Sequence, residues 1–287
     1  MMLRKLIIDF NIATLVCLCL SLINNEAKAQ AVTKGFYSKE FGASVGAAYY
    51  IGDINPMIPL VGARQSLGIY FRVNRDYRWS FRTNANYGKV TAKDANNKLE
   101  ALRNRNLTFQ SNVFELSEQI EFNFWPFRAD ESNYAFSPYA FIGLGAFYFN
   151  PKAVYNNELV ALQPLATEGQ GLLNYRKPYQ RIALAMPLGM GVKVGLAEKF
   201  TLQLEYSIRK TNTDYLDDVS STYKDPKLLN KNTGAAAVAL ADPSANASTY
   251  ANVGHLRGNP DTNDWYGFLH VSLSYSLPNK KKHCPAL

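Results

Sequence analysis

Cysteine is scarce in this chain of 287 residues: there are three, and Cys17 and Cys19 lie among the first 29. Only Cys284 remains beyond them, so the body of the chain forms no internal disulfide. Histidine is equally sparse, with His255, His270 and His283. No HExxH, CxxC or P-loop pattern occurs, so zinc and phosphate sites of the known motif types are excluded, and no cofactor or metal is expected. Apolar runs are short as well. Beyond Ile12 to Ile23, no stretch approaches the roughly 20 residues that a helix needs to cross a bilayer. Charged residues make up 19% of the chain, with a formal net charge of +8. The basic residues are scattered except for Lys280, Lys281 and Lys282, which leaves no nucleic-acid footprint and no nucleic-acid partner.

What is present begins with export. Arg4 and Lys5 precede the apolar run, and Ala27-Lys28-Ala29 closes it. This is the pattern of a secretory signal peptide over residues 1–29, cleaved before Gln30. Val16 and Leu18 are too bulky ahead of Cys17 and Cys19 for a lipoprotein signal. An exported chain with neither disulfides nor spanning helices needs another source of stability. A β-barrel closed in lipid supplies one, because its strands pair all their backbone groups.

The strongest pattern is strict alternation. From Phe200 to Lys210, Phe200, Leu202, Leu204, Tyr206 and Ile208 alternate with Thr201, Gln203, Glu205, Ser207 and Arg209. Successive residues of a strand face opposite ways, so one face is apolar and the other polar. The same rule predicts strands over Glu40–Ile51, Gln65–Asn74, Trp79–Val90, Asn112–Phe124, Phe136–Phe149, Arg181–Val194 and Asp264–Leu277. Proline cannot donate to a ladder, so Pro187 predicts a bulge or an unpaired position. The connections after the odd strands run about 13, 21, 31 and 53 residues, and those after the even strands about 4, 11 and 5. Long loops on one side and short turns on the other are the rule for outer-membrane barrels. The expected fold is all-β: an eight-stranded antiparallel transmembrane β-barrel over residues 30–277, with long extracellular loops and short periplasmic turns. A basic periplasmic tail, 278–287, follows. The expected location is the bacterial outer membrane, in contact with its lipids, with both termini periplasmic.

The polar faces carry few lysines, and Trp79, Trp125 and Trp265 fall at strand ends as an interfacial girdle requires. The apolar faces are therefore expected to point outward. The polar faces then bring Arg72, Arg82, Glu115, Glu121, Lys193, Glu205 and Arg209 into an interior wide enough only for side chains, predicting an ion-pair plug. Glu118 falls on the apolar face without an evident reason.

Chemistry is sought in three places. His270 shares a strand face with Ser272 and Ser274, an arrangement that alternation in a serine-rich strand also produces by itself. His255 with Asp261 or Asp264 would lie near the rim. Asp214, Asp217 and Asp218 are close in sequence, but their spacing is not that of a calcium loop, and they are read as loop-structuring. The Asn230–Asn252 tract, rich in small residues, is expected to be a mobile loop. No catalytic residues are assigned.

Seven tracts in order resemble one family: YYIGDINP (Tyr49–Pro56), RNRNLTF (Arg103–Phe109), EFNFWPF (Glu121–Phe127), PYAFIGLGAFYFNPKA (Pro138–Ala153), TEGQG (Thr167–Gly171), PLGMGVK (Pro187–Lys193) and TDYLDDVSSTY (Thr213–Tyr223). The chain is similar to the PorG-type outer-membrane barrel proteins of Bacteroidota, associated with the type IX secretion system. The resemblance singles out three loop motifs: Gly52, Asp53, Asn55 and Pro56; Thr167, Glu168, Gly169, Gln170 and Gly171; and Thr213, Asp214, Tyr215, Asp217 and Asp218. It implies a non-enzymatic component that docks a periplasmic ring, built from a lipoprotein and its partner, to the outer membrane. Candidate docking residues are Trp125, Pro126, Phe127 and Arg128 in a short turn, and Lys280, Lys281 and Lys282 in the tail. The competing functions are a barrel enzyme with its site among the long loops, and a small pore, which the large interior side chains oppose.

Overall fold

Alternating side chains make the wall. In the computed structural model, which describes residues 37–277 except 57–58, 173–174, 246 and 248–250, long strands carry that alternation around a closed sheet. The expected signal peptide and the basic tail lie outside the described residues. The barrel strands are β1 (Ser38–Ile51), β2 (Arg64–Asn74), β3 (Trp79–Lys93), β4 (Thr108–Asn123), β5 (Phe136–Phe149), β8 (Ile182–Ala197), β9 (Phe200–Thr211) and β10 (Trp265–Leu277). Each pairs antiparallel with its neighbour in that order, and β10 pairs with β1 to close the eight-stranded barrel. A small hairpin, β6 (Lys152–Tyr155) and β7 (Glu158–Ala161), extends β4 above the wall.

Residues 52–63, 94–107, 150–181 and 212–264 connect the strands at one end, and 75–78, 124–135 and 198–199 at the other. The expected asymmetry is clear in 150–181 and 212–264 against 75–78 and 198–199, whereas 52–63 and 124–135 are equal in length. No helix among the described residues is long and apolar enough to cross a membrane. The apolar face points outward: Phe41, Leu67, Ile69, Leu116, Ile142, Leu184, Leu204 and Val271 are all exposed, Leu116 at 62%. Trp79 packs on Phe122, and Trp125 on Phe136, at the short-turn end. Tyr87, Phe114 and Tyr148 form a row nearer the long loops. An apolar band flanked by aromatic residues is the surface of a barrel that spans a bilayer.

Several expectations need correction. β3 runs on to Lys93 and β4 begins at Thr108, so residues 91–93 and 108–111 of the expected polar loop are wall, and the short helix α1 (Glu100–Arg105) lies in what remains. Pro187 meets its expectation as an unpaired position towards β5 and not as a bulge. The β5–β8 ladder pairs Ile142 with Leu188 and Gly145 with Ala185 without change of register, and only the positions between are unpaired; the irregularity lies at Gly195/Ala197. Asn230–Asn252 is not one irregular loop. Helix α2 (Pro226–Thr233) starts at Asp225, whose side chain accepts from Lys227 N at 2.8 Å, with Pro226 in the first turn. Helix α3 (Ala235–Ala241) follows, and Leu229, Ala237 and Ala241 bury against Leu165 and Leu172. An N-cap aspartate followed by proline, and an alanine run, are the local reasons.

Candidate functional site: a filled lumen under a locked cap

The seven charged residues expected inside the barrel are all buried there. Arg82 on β3 reaches Glu205 on β9, on the opposite wall, at 2.7 Å. Glu121 is the hub. It lies 2.9 Å from Arg82 Nε and 2.6 Å from Lys193 Nζ, and Arg72 Nη2 donates to it at 3.2 Å. Nearer the long-loop end, Arg209 donates to Glu115 at 2.9 Å, and Tyr266 donates to the same carboxylate from across the lumen at 2.7 Å. Glu40 also belongs to this network, donated to by Arg72 at 2.9 Å. Its place at a strand start, before the alternation becomes clear, hid it from sequence reading. Side chains from facing walls thus bridge the lumen, as the width of an eight-stranded barrel allows.

Above the plug, the inward positions change character. Tyr50, Val90, Phe109, Phe147, Phe149, Tyr266 and Phe268 form an apolar core at the long-loop mouth. The loops close over it, and here the three motifs meet. Gly52 and Asn55 bond each other through their backbones, and Asn55 Nδ2 donates to Tyr50 O at 2.9 Å. Tyr50 Oη lies between Asp217 (2.5 Å) and Asp264 (2.8 Å). Asp53 accepts from Asn259 N at 2.9 Å. In the second motif, Gly169 and Gly171 take φ of +76° and +82°, a conformation that favours glycine and lets the loop fold back. Thr167 donates to Asp218 at 2.5 Å, and Tyr179 donates to the other oxygen of that carboxylate at 2.7 Å. Glu168 accepts from Ser220 N and Ser221 N at 2.9 Å each and from Ser221 Oγ at 2.6 Å. Thr213 O accepts from Asp264 N at 3.0 Å.

Two arginines hold the cap: Arg257, which no expected motif contains, and Arg105, which lies in the RNRNLTF tract without an expected role. Arg257 is buried, donating to Glu168 at 3.1 Å, to Asp218 O at 2.6 Å and to Ala241 O at 3.0 Å. Arg105 joins Asp94 (2.7 Å), Asp53 O (2.8 Å) and Arg257 O (2.6 Å). Neither stands in a strand-like alternation; Arg105 carries the signal of its tract, and Arg257 only that of a single arginine in a loop.

The cap is crowded with acids. Burial raises Asp214 to about 7, and Asp53 and Asp218 to about 6, with neighbouring acids adding to the effect. Burial likewise raises Asp217 and Asp264 well above the usual carboxylate range, and each also feels the other acids of the cluster. Among the described residues no His, Cys, Asp and Glu are grouped to hold a metal ion, and the Asp214–Asp218 segment bonds to the cap itself.

The remaining candidates separate. His270 does not meet Ser272 or Ser274; it lies 2.9 Å from Ser66 Oγ on another strand. His255 is exposed, and Asp264 is committed to Tyr50 and to Leu216 N. Of the expected docking turn, Trp125 is exposed at 54% and Arg128 pairs with Asp130 and Glu131. Phe127 is a correction: it is buried, with Lys193 over its ring at 5.9 Å, because the turn folds inward across the mouth. Lys280, Lys281 and Lys282 lie outside the described residues.

Fold and surface together define an integral β-barrel of the outer-membrane type. The chain belongs to a family described as a domain of unknown function, DUF6089, which matches residues 13–238. No curated protein matches it. Among solved structures it is similar to the outer membrane protein OprG of Pseudomonas aeruginosa, at 11% identity over 85% of this chain and 99% of that one, with a TM-score of 0.42. It is also similar to Neisserial surface protein A, at 8% identity over 84% and 97%, TM-score 0.39. The N-terminal β-barrel domain of P. aeruginosa OprF shares 10% identity over 85% and 100%, TM-score 0.35. These likenesses are of fold alone.

Proposed function

We propose that this protein is a non-enzymatic outer-membrane barrel that anchors a type IX protein secretion assembly, docking a periplasmic ring to the membrane. The observation that carries the reading is the mutual locking of the three motifs by which the chain resembles PorG-type proteins. Asp217 is tied to Tyr50 beside the first motif, and Thr167 and Glu168 of the second are tied to Asp218, Ser220 and Ser221 of the third. The motifs fold into one built element, which supports this reading. The ion-paired lumen favours a scaffold over a pore, and the engagement of His270 with Ser66 and of Asp264 with Tyr50 and Leu216 N favours it over a rim enzyme.

In this reading the long loops face outward and the short turns face the periplasm. The short-turn mouth holds a recess of about 410 Å³ beside Arg128, Asp130, Glu198 and Lys199, a mixed-charge surface suited to a periplasmic partner. The test is co-purification from native outer membrane. Deleting residues 279–287 and replacing the Arg128–Asn133 turn leaves barrel insertion intact but reduces recovery of the ring lipoprotein and secretion with it. A doubly altered barrel that inserts, keeps its ring partners in high salt and still supports secretion overturns the proposal.

A further inference from the structure

The TEGQG loop does more than close the barrel. Its residues form one wall of a pocket of about 220 Å³ at the long-loop end, whose other walls come from Tyr175 and Arg176 and from the Tyr215–Lys224 segment. This lies below the ~300–1,000 Å³ of sites for drug-sized ligands, so it suits one small ring.

The polar groups in the pocket are unevenly used. Glu168 is fully engaged by Arg257, two backbone N–H groups and Ser221 Oγ, so its charge is answered within the protein. Gln170 is not. It is 5% exposed; its Oε1 accepts from Glu168 N at 3.1 Å, and its Nε2 has no hydrogen-bond partner. A buried amide donor without a partner costs free energy, and one lining a pocket is positioned for a ligand oxygen. The exposed Arg176 guanidinium and Lys224, whose Nζ stands 5.2 Å from the Tyr175 ring centroid, add two positive charges to the same walls. Tyr175 and Tyr215 offer aromatic surface, Tyr215 having its other face stacked on Tyr179 at 4.7 Å. Donors for hydroxyls, two cations and tyrosine walls in so small a space match one chemistry.

We propose that this pocket binds a single acidic sugar unit, with its carboxylate at Arg176 and Lys224, a ring hydroxyl accepting from Gln170 Nε2, and its apolar face on tyrosine. The inference rests on the outward-facing loops of the proposed function only for where the ligand comes from; binding itself is a property of the purified chain.

The experiment is calorimetric titration of the full-length barrel in detergent micelles with D-glucuronate, D-glucose and inorganic phosphate. Glucuronate is expected to bind, and glucose and phosphate about tenfold more weakly or less, because each lacks one half of the recognition. Raising salt should weaken glucuronate binding. Arg176→Ala, Lys224→Met and Gln170→Glu should each weaken it about tenfold or more, the loss of one charge-assisted hydrogen bond or the gain of a repelling charge. Arg176 is exposed, whereas Lys224 is half-buried with its Nζ donating to Thr222 Oγ1 at 2.8 Å, so unchanged migration of the unboiled barrel checks the fold of Lys224→Met and Gln170→Glu. No binding of glucuronate overturns the proposal. So does phosphate binding equally well, which marks a bare anion site, or glucuronate binding that all three variants retain. None of these results bears on ring docking, which co-purification tests separately.

Discussion

Tyr50 Oη stands 2.5 Å from Asp217 Oδ2 and 2.8 Å from Asp264 Oδ1. A phenol has one proton to donate. With two buried carboxyls on one hydroxyl, the complete arrangement has the phenol donating to one acid while the other keeps its own proton and donates to the phenol oxygen. This contact joins the first strand, the long 212–264 connection and the start of the last strand, which makes it the keystone of the cap.

That arrangement makes the cap sensitive to pH. The acids Asp53, Asp214, Asp217, Asp218 and Asp264 are all raised, chiefly by burial, and the positive charges that oppose the rise are Arg105 and Arg257 at Asp53, Arg257 at Asp218 and Arg176 at Asp214. A carboxyl raised in the folded state holds more protons folded than unfolded. Its cost is absent below the ordinary value near ~3.9 and grows as pH climbs through the folded value. With Asp53 and Asp218 near about 6 and Asp214 near about 7, the cap loosens between pH 5 and 8. Limited proteolysis, corrected with an unfolded peptide, should cut the 212–264 connection faster at pH 8 than at pH 5. Asp214→Asn should weaken that dependence, because it removes the carboxyl raised to about 7 within that window. Equal rates at both pH values in the parent chain contradict the argument.

Glu121 takes charge from Arg72, Arg82 and Lys193 inside the wall. Removing one partner of a buried pair leaves the other uncompensated, at a cost of ~3–5 kcal/mol. Glu121→Gln and Arg82→Glu should each lower the urea midpoint of the detergent-folded barrel and shrink the unboiled, faster-migrating band. Midpoints equal to the parent's mean that these side chains are not in a packed interior.

Glu118 is exposed on the outer face, between Leu116 and Ile120, and accepts from Thr83 Oγ1 at 3.0 Å. The hydrogen bond partly accounts for a carboxylate there, but lipid still favours an apolar side chain. Glu118→Leu should stabilise the barrel in bilayers by about 1–2 kcal/mol, less than the ~2–4 that a lysine or arginine costs at the bilayer midplane. A loss of stability instead would show that a polar partner, not lipid, covers this position.

The wall was legible because one physical rule, apolar outward and polar inward, holds wherever the barrel meets lipid. Phe136–Phe149 has the predicted bounds, and the interior charges followed from strand parity alone. The rule fails where the strands rise past the apolar band. There Val90, Ala92 and Phe109 turn inward to the core beneath the loops, so the alternation no longer tells wall from loop. The cap was visible only as motifs by resemblance. Its assembly depends on Arg257, Arg105 and Tyr50 meeting acids far away in sequence, which periodicity cannot report. Helices α2 and α3 had local signals in Asp225, Pro226 and the alanine run, which the small-residue composition masked.

The central claim is a barrel in the outer membrane with the cap outside and the short turns within. Single cysteines at Asn232, in α2, and at Asp130, in a short turn, on a Cys284→Ser background, place both ends in one measurement. With a membrane-impermeant maleimide on intact cells, the account predicts that Asn232→Cys is labelled at once and Asp130→Cys only after lysis, both recovered with the outer membrane. Recovery as soluble protein, or labelling of Asp130→Cys but not Asn232→Cys in intact cells, contradicts it.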